Sequence, residues 1–391
     1  MERMTVPLLD LKPQYAPLKA EIMAALEAVC DSQMFILGPS VTALEKACGE
    51  YCQSAHSLGV SSGTDALLLA LMALDIGPEH EVLTSPYTFF ATGGTIARVG
   101  ARPVWVDIDP NTFNLSPAAV QTFIDKQCER SHGQLVNRAT GNAIKAIMPV
   151  HLYGQLADMA PLVEIARRYD LKVIEDAAQA IGSEALHGKR AGSFGDIGCF
   201  SFFPTKNLGA FGDAGLCTTQ DAELAERMRV LRVHGGKPKY YHGLIGGNFR
   251  IDELQAAVLN IKLRHLDSWT RGRQRNALFY ERAFTAAGLN GKVRIPQSQP
   301  GHRHVWNQYI IRAPRRDALR DYLAENGVGT EIYYPVPLHL QTCFAALGGK
   351  PGDFPESERA ASETLALPIF SELTEEQLAY VVACISAFYS S

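Results

Sequence analysis

The sequence predicts an α/β protein with a mostly parallel central sheet in a large domain, followed by a smaller C-terminal α+β domain. Three observations carry this. Strand-like and helix-like runs alternate three times between residues 57 and 107, the pattern of a parallel sheet with helices on its faces. An apolar run at 197–203 stops at Pro204, which cannot continue a central strand, and opens into a loop with glycines at 209, 212 and 215. After residue 221 the pattern turns mostly helical. A chain of 391 residues has room for two domains, and we place them at 1–260 and 261–391.

Composition bounds the function. With 47% hydrophobic and 20% charged residues the chain reads as globular. A net charge of −4 gives no reason to expect nucleic-acid binding. The eight cysteines show no CxxC pair, and Cys199 and Cys217 lie in apolar runs that read as core, a reduced and intracellular pattern. No apolar run is long enough to span a membrane, and Met1-Glu2-Arg3 begins no signal segment, so the expectation is a soluble, cytoplasmic protein. No metal site is expected: HExxH is absent, and His302 and His304 sit only two residues apart.

In chain order, residues 17–31 read as an amphipathic helix, 34–39 as an apolar loop and 41–53 as a second helix. Residues 57–60 form a strand, Ser61-Ser62-Gly63-Thr64-Asp65 a small polar loop, and 66–74 an apolar helix. That arrangement makes an anion site from free backbone N–H groups, and it is equally an ordinary N-cap. A strand at 81–83, a loop at 84–90, a helix at 91–99 and a strand at 103–107 follow. The polar stretch 125–142 reads as an exposed helix end and loop. Strands are expected at 144–149, 171–174, 197–203 and 216–219, with a helix at 159–169. Residues 221–233 read as a helix, and 251 to about 284 as one long helix containing the domain boundary. Beyond it, strands are expected near 306–312 and 330–334, and helices near 316–326, 357–364 and 375–388.

In parallel sheets, ligands bind beyond the carboxyl ends of the strands. Lys206 lies there, and on its own it reads as a solvated surface cation. If Lys206 instead forms a Schiff base with pyridoxal 5'-phosphate, other residues gain roles. The phosphate needs a helix N-terminus and small hydroxyls, which Ser62, Gly63, Thr64 and Ser201 supply. The pyridine nitrogen needs a carboxylate, and Asp176 ends a strand. Phe89 or Tyr87 offers an aromatic face. Gln179, about one turn past Asp176, reaches the cofactor or the substrate. Each of these residues also has a structural reading as a cap or as packing. No P-loop or GxGxxG motif competes.

These segments resemble the DegT/DnrJ/EryC1/StrS sugar aminotransferase family, within the fold-type I pyridoxal-phosphate enzymes. The resemblance rests on Ser61 to Leu67, Pro86 to Phe89, Pro149 to Gly154, Glu175-Asp176-Ala177-Ala178-Gln179, Ser201 to Asn207, Gly247 to Ala257 and Tyr334 to His339. It implies that Lys206 holds the cofactor, Asp176 meets the ring nitrogen, Ala178 and Gln179 line the site, Phe89 stacks on the ring, and Ser62, Gly63, Thr64 and Ser201 bind phosphate. It implies a homodimer in which Asn248 reaches the partner's phosphate with Arg250 beside the substrate, and substrate contacts from Tyr333, Tyr334 and His339. Tyr333 stands where many members carry histidine, and 126–142 is longer than usual.

The function implied is transfer of an amino group from an amino acid, glutamate before glutamine, to a nucleotide-linked keto-sugar. A sugar dehydratase on the same scaffold is the alternative, though family dehydratases of that kind carry histidine at the lysine position. A non-catalytic regulatory relative is the third reading.

Overall fold

A computed structural model describes residues 3–390. Its main sheet has nine strands among the described residues: β1 (His56–Val60), β2 (His80–Thr84), β3 (Arg102–Trp105), β4 (Cys128–Ser131), β5 (Gln134–Asn137), β6 (Ala143–Met148), β7 (Lys172–Asp176), β8 (Ile197–Ser201) and β9 (Gly215–Thr219). The order is β1-β9-β8-β7-β6-β2-β3, with β4 and β5 attached beside β6. Only β9 runs against its neighbours along this path, so β1, β2, β7 and β8 all end at one edge. Burial on both faces explains why these strands are nearly continuous apolar runs. Between the sheet and its outer helices lies the helix Gly63–Ala73, with Ala66 through Leu71 all buried. It is therefore apolar on every side instead of amphipathic.

The C-terminal part pairs β10 (Tyr309–Arg312) with β11 (Thr364–Leu367) antiparallel, packed with helices Leu266–Ala286, Arg316–Glu325 and Glu375–Ser390. Tyr280, Phe284, Leu319, Leu323, Val381 and Ile385 share its core. Val6 joins that core and bridges Val328, so the N-terminal strand-like segment packs with the C-terminal part.

Three expectations are corrected. The long helix at 251–284 is two helices, Glu253–Leu263 and Leu266–Ala286, broken at Arg264–His265. Neither glycine nor proline marks the break, and the turn lets Leu259 and Leu266 share one apolar cluster. At 125–142 the expected helix end is present, closing Pro117–Gln127, but the loop after it is the β4–β5 hairpin. His132 (φ 49°) and Gly133 (φ 80°) form its two-residue turn, the geometry that matches strand twist. Polar residues there have an inward purpose: Asn137 Nδ2 and Thr140 Oγ1 each donate at 2.8 Å to the buried Glu81 carboxylate. The strand at 330–334 does not form; Glu331 makes one bridge to Ala366, and β11 takes the pairing edge of β10.

Candidate active site

The shared carboxyl edge of β1, β2, β7 and β8 gathers four loops around a cavity of about 530 Å³. Ser62, Gly63 and Thr64 enter from β1, Phe89 from β2, Asp176, Ala178 and Gln179 from β7, and Ser201 and Lys206 from β8. Tyr333 and Tyr334 close it from the C-terminal part.

Lys206 is fixed by its neighbours. Its amide donates to Phe203 O at 2.8 Å. The next residue, Asn207, is buried and donates to Val305 O at 2.7 Å. At Gly209 an added Cβ would lie 2.2 Å from Pro204 O, so only glycine lets the loop fold back here. The buried Lys262 ammonium donates to the Gly209 carbonyl. The Lys206 flank stays open to the cavity while its amine lies deep. Burial lowers the amine to about 8, against the opposing pull of Asp176. A lysine near 8 has a sizeable neutral fraction at working pH, as proton transfer and carbonyl chemistry require.

Asp176 ends β7 with its backbone tied to Pro149 O and its carboxylate buried. Thr92 Oγ1 donates to Oδ2 at 2.7 Å, and the Ala178 amide donates to Oδ1 at 3.3 Å. Burial raises its pKa, and Thr92, the Ala178 amide and Lys206 pull it back. Glu175 beside it is structural: it accepts from Gly192, Phe194 and Gly195 amides at 2.7–2.8 Å and from His151 at 2.9 Å. His151 Nδ1 accepts from Ala157 N, which leaves Nε2–H to donate to Glu175.

At the first loop, Ser62 caps the helix by accepting from Asp65 N at 3.0 Å. Gly63 and Thr64, its first two residues, have no intrahelical acceptor for their amides. A Cβ on Gly63 would meet Ser201 Cβ at 2.6 Å, so glycine is what allows this cradle to close. The capping and anion-site readings therefore coexist: the side chain caps, and the backbone is left for an anion.

Of the two aromatic candidates, Phe89 is 56% exposed on the cavity rim, 5.9 Å from the Tyr334 ring. Tyr87 is buried, its hydroxyl bonded to Tyr333 O, Thr364 and Tyr153. Gln179 Oε1 accepts from Tyr153 N at 2.6 Å, and its Nε2 donates to Tyr334 Oη at 3.2 Å, which braces one wall.

The remaining residues lie apart. Asn248 and Arg250, joined by a 2.9 Å hydrogen bond, line a neighbouring cavity of about 440 Å³. Asp213 lines both cavities. His339 is buried against Glu358 at 3.1 Å and does not line the Lys206 cavity. Thr92 had no signal in the sequence, because its role depends on a helix turn meeting the end of β7.

An amine, a carboxylate, an aromatic face and a free-amide cradle in one cavity fit a phosphate-bearing aldehyde cofactor. Fold and cavity together define a fold-type I α/β enzyme with a lysine–aspartate site at the sheet's carboxyl edge. The chain belongs to the DegT/DnrJ/EryC1/StrS aminotransferase family, whose sequence profile matches residues 17–386. A protein of Geobacillus stearothermophilus named pleiotropic regulatory protein is 51% identical over 386 residues, 99% of each chain. UDP-N-acetyl-3-dehydro-alpha-D-glucosamine 3-aminotransferase of Acidithiobacillus ferrooxidans is 42% identical over 380 residues, 97% of each. The solved structure of S. venezuelae DesV with a ketimine intermediate superposes with a TM-score of 0.90 at 40% identity, covering 100% of both chains. No described helix is long and apolar enough to cross a membrane.

Proposed function

We propose that this protein transfers an amino group from an amino acid, glutamate first, to the keto group of a nucleotide-linked sugar. The observation that carries the reading is the pairing of the Lys206 amine and the Asp176 carboxylate in one cavity with the Ser62–Gly63–Thr64 and Ser201 cradle. Bound there, pyridoxal phosphate supplies an electron sink that makes the donor's Cα proton acidic and carries the amino group between half-reactions. Lys206 would hold the cofactor and, once displaced by the donor's amine, would take the proton from the donor Cα and deliver it to the carbon that came from the cofactor's aldehyde. Asp176 keeps the ring nitrogen protonated, and Thr92 and the Ala178 amide keep Asp176 in place. Gly63 and Thr64 amides, with Ser201, bind phosphate. Phe89, Tyr333 and Tyr334 cover the rim and exclude water.

The working form in this reading is a cytoplasmic homodimer. Met34, Phe35, Ile36, Phe203 and Phe211 expose apolar surface, and Ile36 lines the Asn248–Arg250 cavity. A second copy covering that face brings its Asn248 and Arg250 toward the cradle.

Glutamate alone should release 2-oxoglutarate once per site and stop. A nucleotide-linked keto-sugar should restart release, as ping-pong transfer requires. Continuous release without a sugar, or none with it, would sink the reading. A regulator is the second reading, favoured by the name of the 51%-identical relative, and it predicts no release at all.

A further inference from the structure

Beside the cofactor cavity lies a second one of about 150 Å³. The two share Thr205, Lys206, Gln308 and Tyr333, and the smaller is closed by Arg273 and the apolar side chains of Leu8, Ile369 and Phe370. Two cations line it, and no carboxylate does.

Arg273 is the unusual member. Four arginines are buried among the described residues. Arg232 pairs with Glu45, Arg312 with Glu363 and Arg316 with Asp317. Arg273, 5% exposed, pairs with no acid. Its Nη1 donates to Trp306 O at 2.9 Å and Asn307 O at 3.4 Å. Its Nε and Nη2 donate to nothing among the described residues. Glu372 is the acid whose field reaches it, without an ion pair, and burial lowers the guanidinium to about 10. A buried guanidinium without a carboxylate carries an uncompensated desolvation penalty, and its fork matches a carboxylate in two-point geometry.

We propose that this cavity is the amino donor's carboxylate pocket, with Arg273 as the binding group and the donor's amine left at Lys206. The proposal rests on the aminotransferase reading and adds where the first substrate is held. A cavity of this size holds about a benzene-sized group, enough for a carboxylate and the two or three carbons behind it. It has no room for a nucleotide-linked sugar, so donor and acceptor recognition are separated in space.

The test compares Arg273→Met and Arg273→Lys with wild type in each half-reaction. Arg273→Met should raise the KM for glutamate about a hundredfold, the loss of a two-point charged contact. The reverse half-reaction, from an amino-sugar nucleotide, should keep its wild-type rate. Arg273→Lys should recover part of the loss, because a point charge lacks the fork. Calorimetric titration of cofactor-free protein with glutarate, a dicarboxylate with no amine, should give binding in wild type and none in Arg273→Met. Equal glutarate binding in both proteins, or an equal fall in both half-reactions with a lowered Tm, would overturn the proposal and make Arg273 a clamp on Trp306. If wild type turns over no donor, the aminotransferase reading falls, while the glutarate titration still decides the pocket.

Discussion

Replacing Asp176 with asparagine keeps the shape of the site and removes its charge. Thr92 Oγ1 sits 2.7 Å from Oδ2 and the Ala178 amide 3.3 Å from Oδ1. The carboxamide oxygen can keep one of these donors, so folding stability should change by less than about 1 kcal/mol. The larger loss is the charge-assisted bond to a protonated ring nitrogen, about 1.5–3 kcal/mol. That corresponds to pyridoxal phosphate binding about 10- to 150-fold more weakly. A second effect travels through the field. Asp176 raises the Lys206 pKa against burial, so without its charge the amine should titrate below about 8. Cofactor-free protein is titrated with pyridoxal phosphate across pH, following absorbance of the bound form, alongside a thermal melt. Unchanged affinity in a folded variant, or a Lys206 that titrates higher, would refute the assignment of Asp176 to the ring nitrogen. Thr92→Val should act in the same direction and more weakly, by about 1 kcal/mol.

Gly63→Ala puts a Cβ 2.6 Å from Ser201 Cβ and should force the two phosphate loops apart. It should destabilise the protein by about 1–3 kcal/mol and weaken cofactor binding, both read by melts with and without cofactor. Capture of the cofactor by Lys206 needs the neutral amine. Below about 8 the amine is charged and above it is neutral, so the capture rate should rise with pH through about 8; a flat profile from neutral to alkaline pH would contradict this. Glu175→Leu leaves the Gly192, Phe194 and Gly195 amides buried without an acceptor. At about 1–3 kcal/mol per unpaired group, denaturant unfolding should find it severely destabilised. Mixing Lys206→Ala with an Asn248→Ala, Arg250→Ala double variant should restore activity through mixed dimers, whereas inactivity of the mixture would place each site within one chain.

The sheet was legible because buried parallel strands are short apolar runs punctuated by turn residues, and Ser62, Asp176 and Lys206 all follow such runs. The β4–β5 hairpin was not, because its polar residues look like a loop until Glu81 is seen behind Asn137 and Thr140. The break at Arg264–His265 carries no glycine or proline, so local pattern continues straight through it. Thr92 and Arg273 show the other limit. Their surroundings come from segments 84 and 33 residues away, and no spacing within one segment encodes that. His339 illustrates a motif read in the right segment whose side chain turns to Glu358, away from the cavity.

The proposed function makes Lys206 the residue that carries amino-group transfer to a nucleotide-linked keto-sugar. Its most direct test incubates cofactor-loaded protein with glutamate and a panel of nucleotide-linked keto-sugars, and reads products by mass. Wild type should convert at least one acceptor to the amino-sugar nucleotide with matching release of 2-oxoglutarate, and folded Lys206→Ala should convert none. An amino sugar formed by Lys206→Ala at the wild-type rate, or no amino sugar from wild type with any acceptor, would contradict the claim.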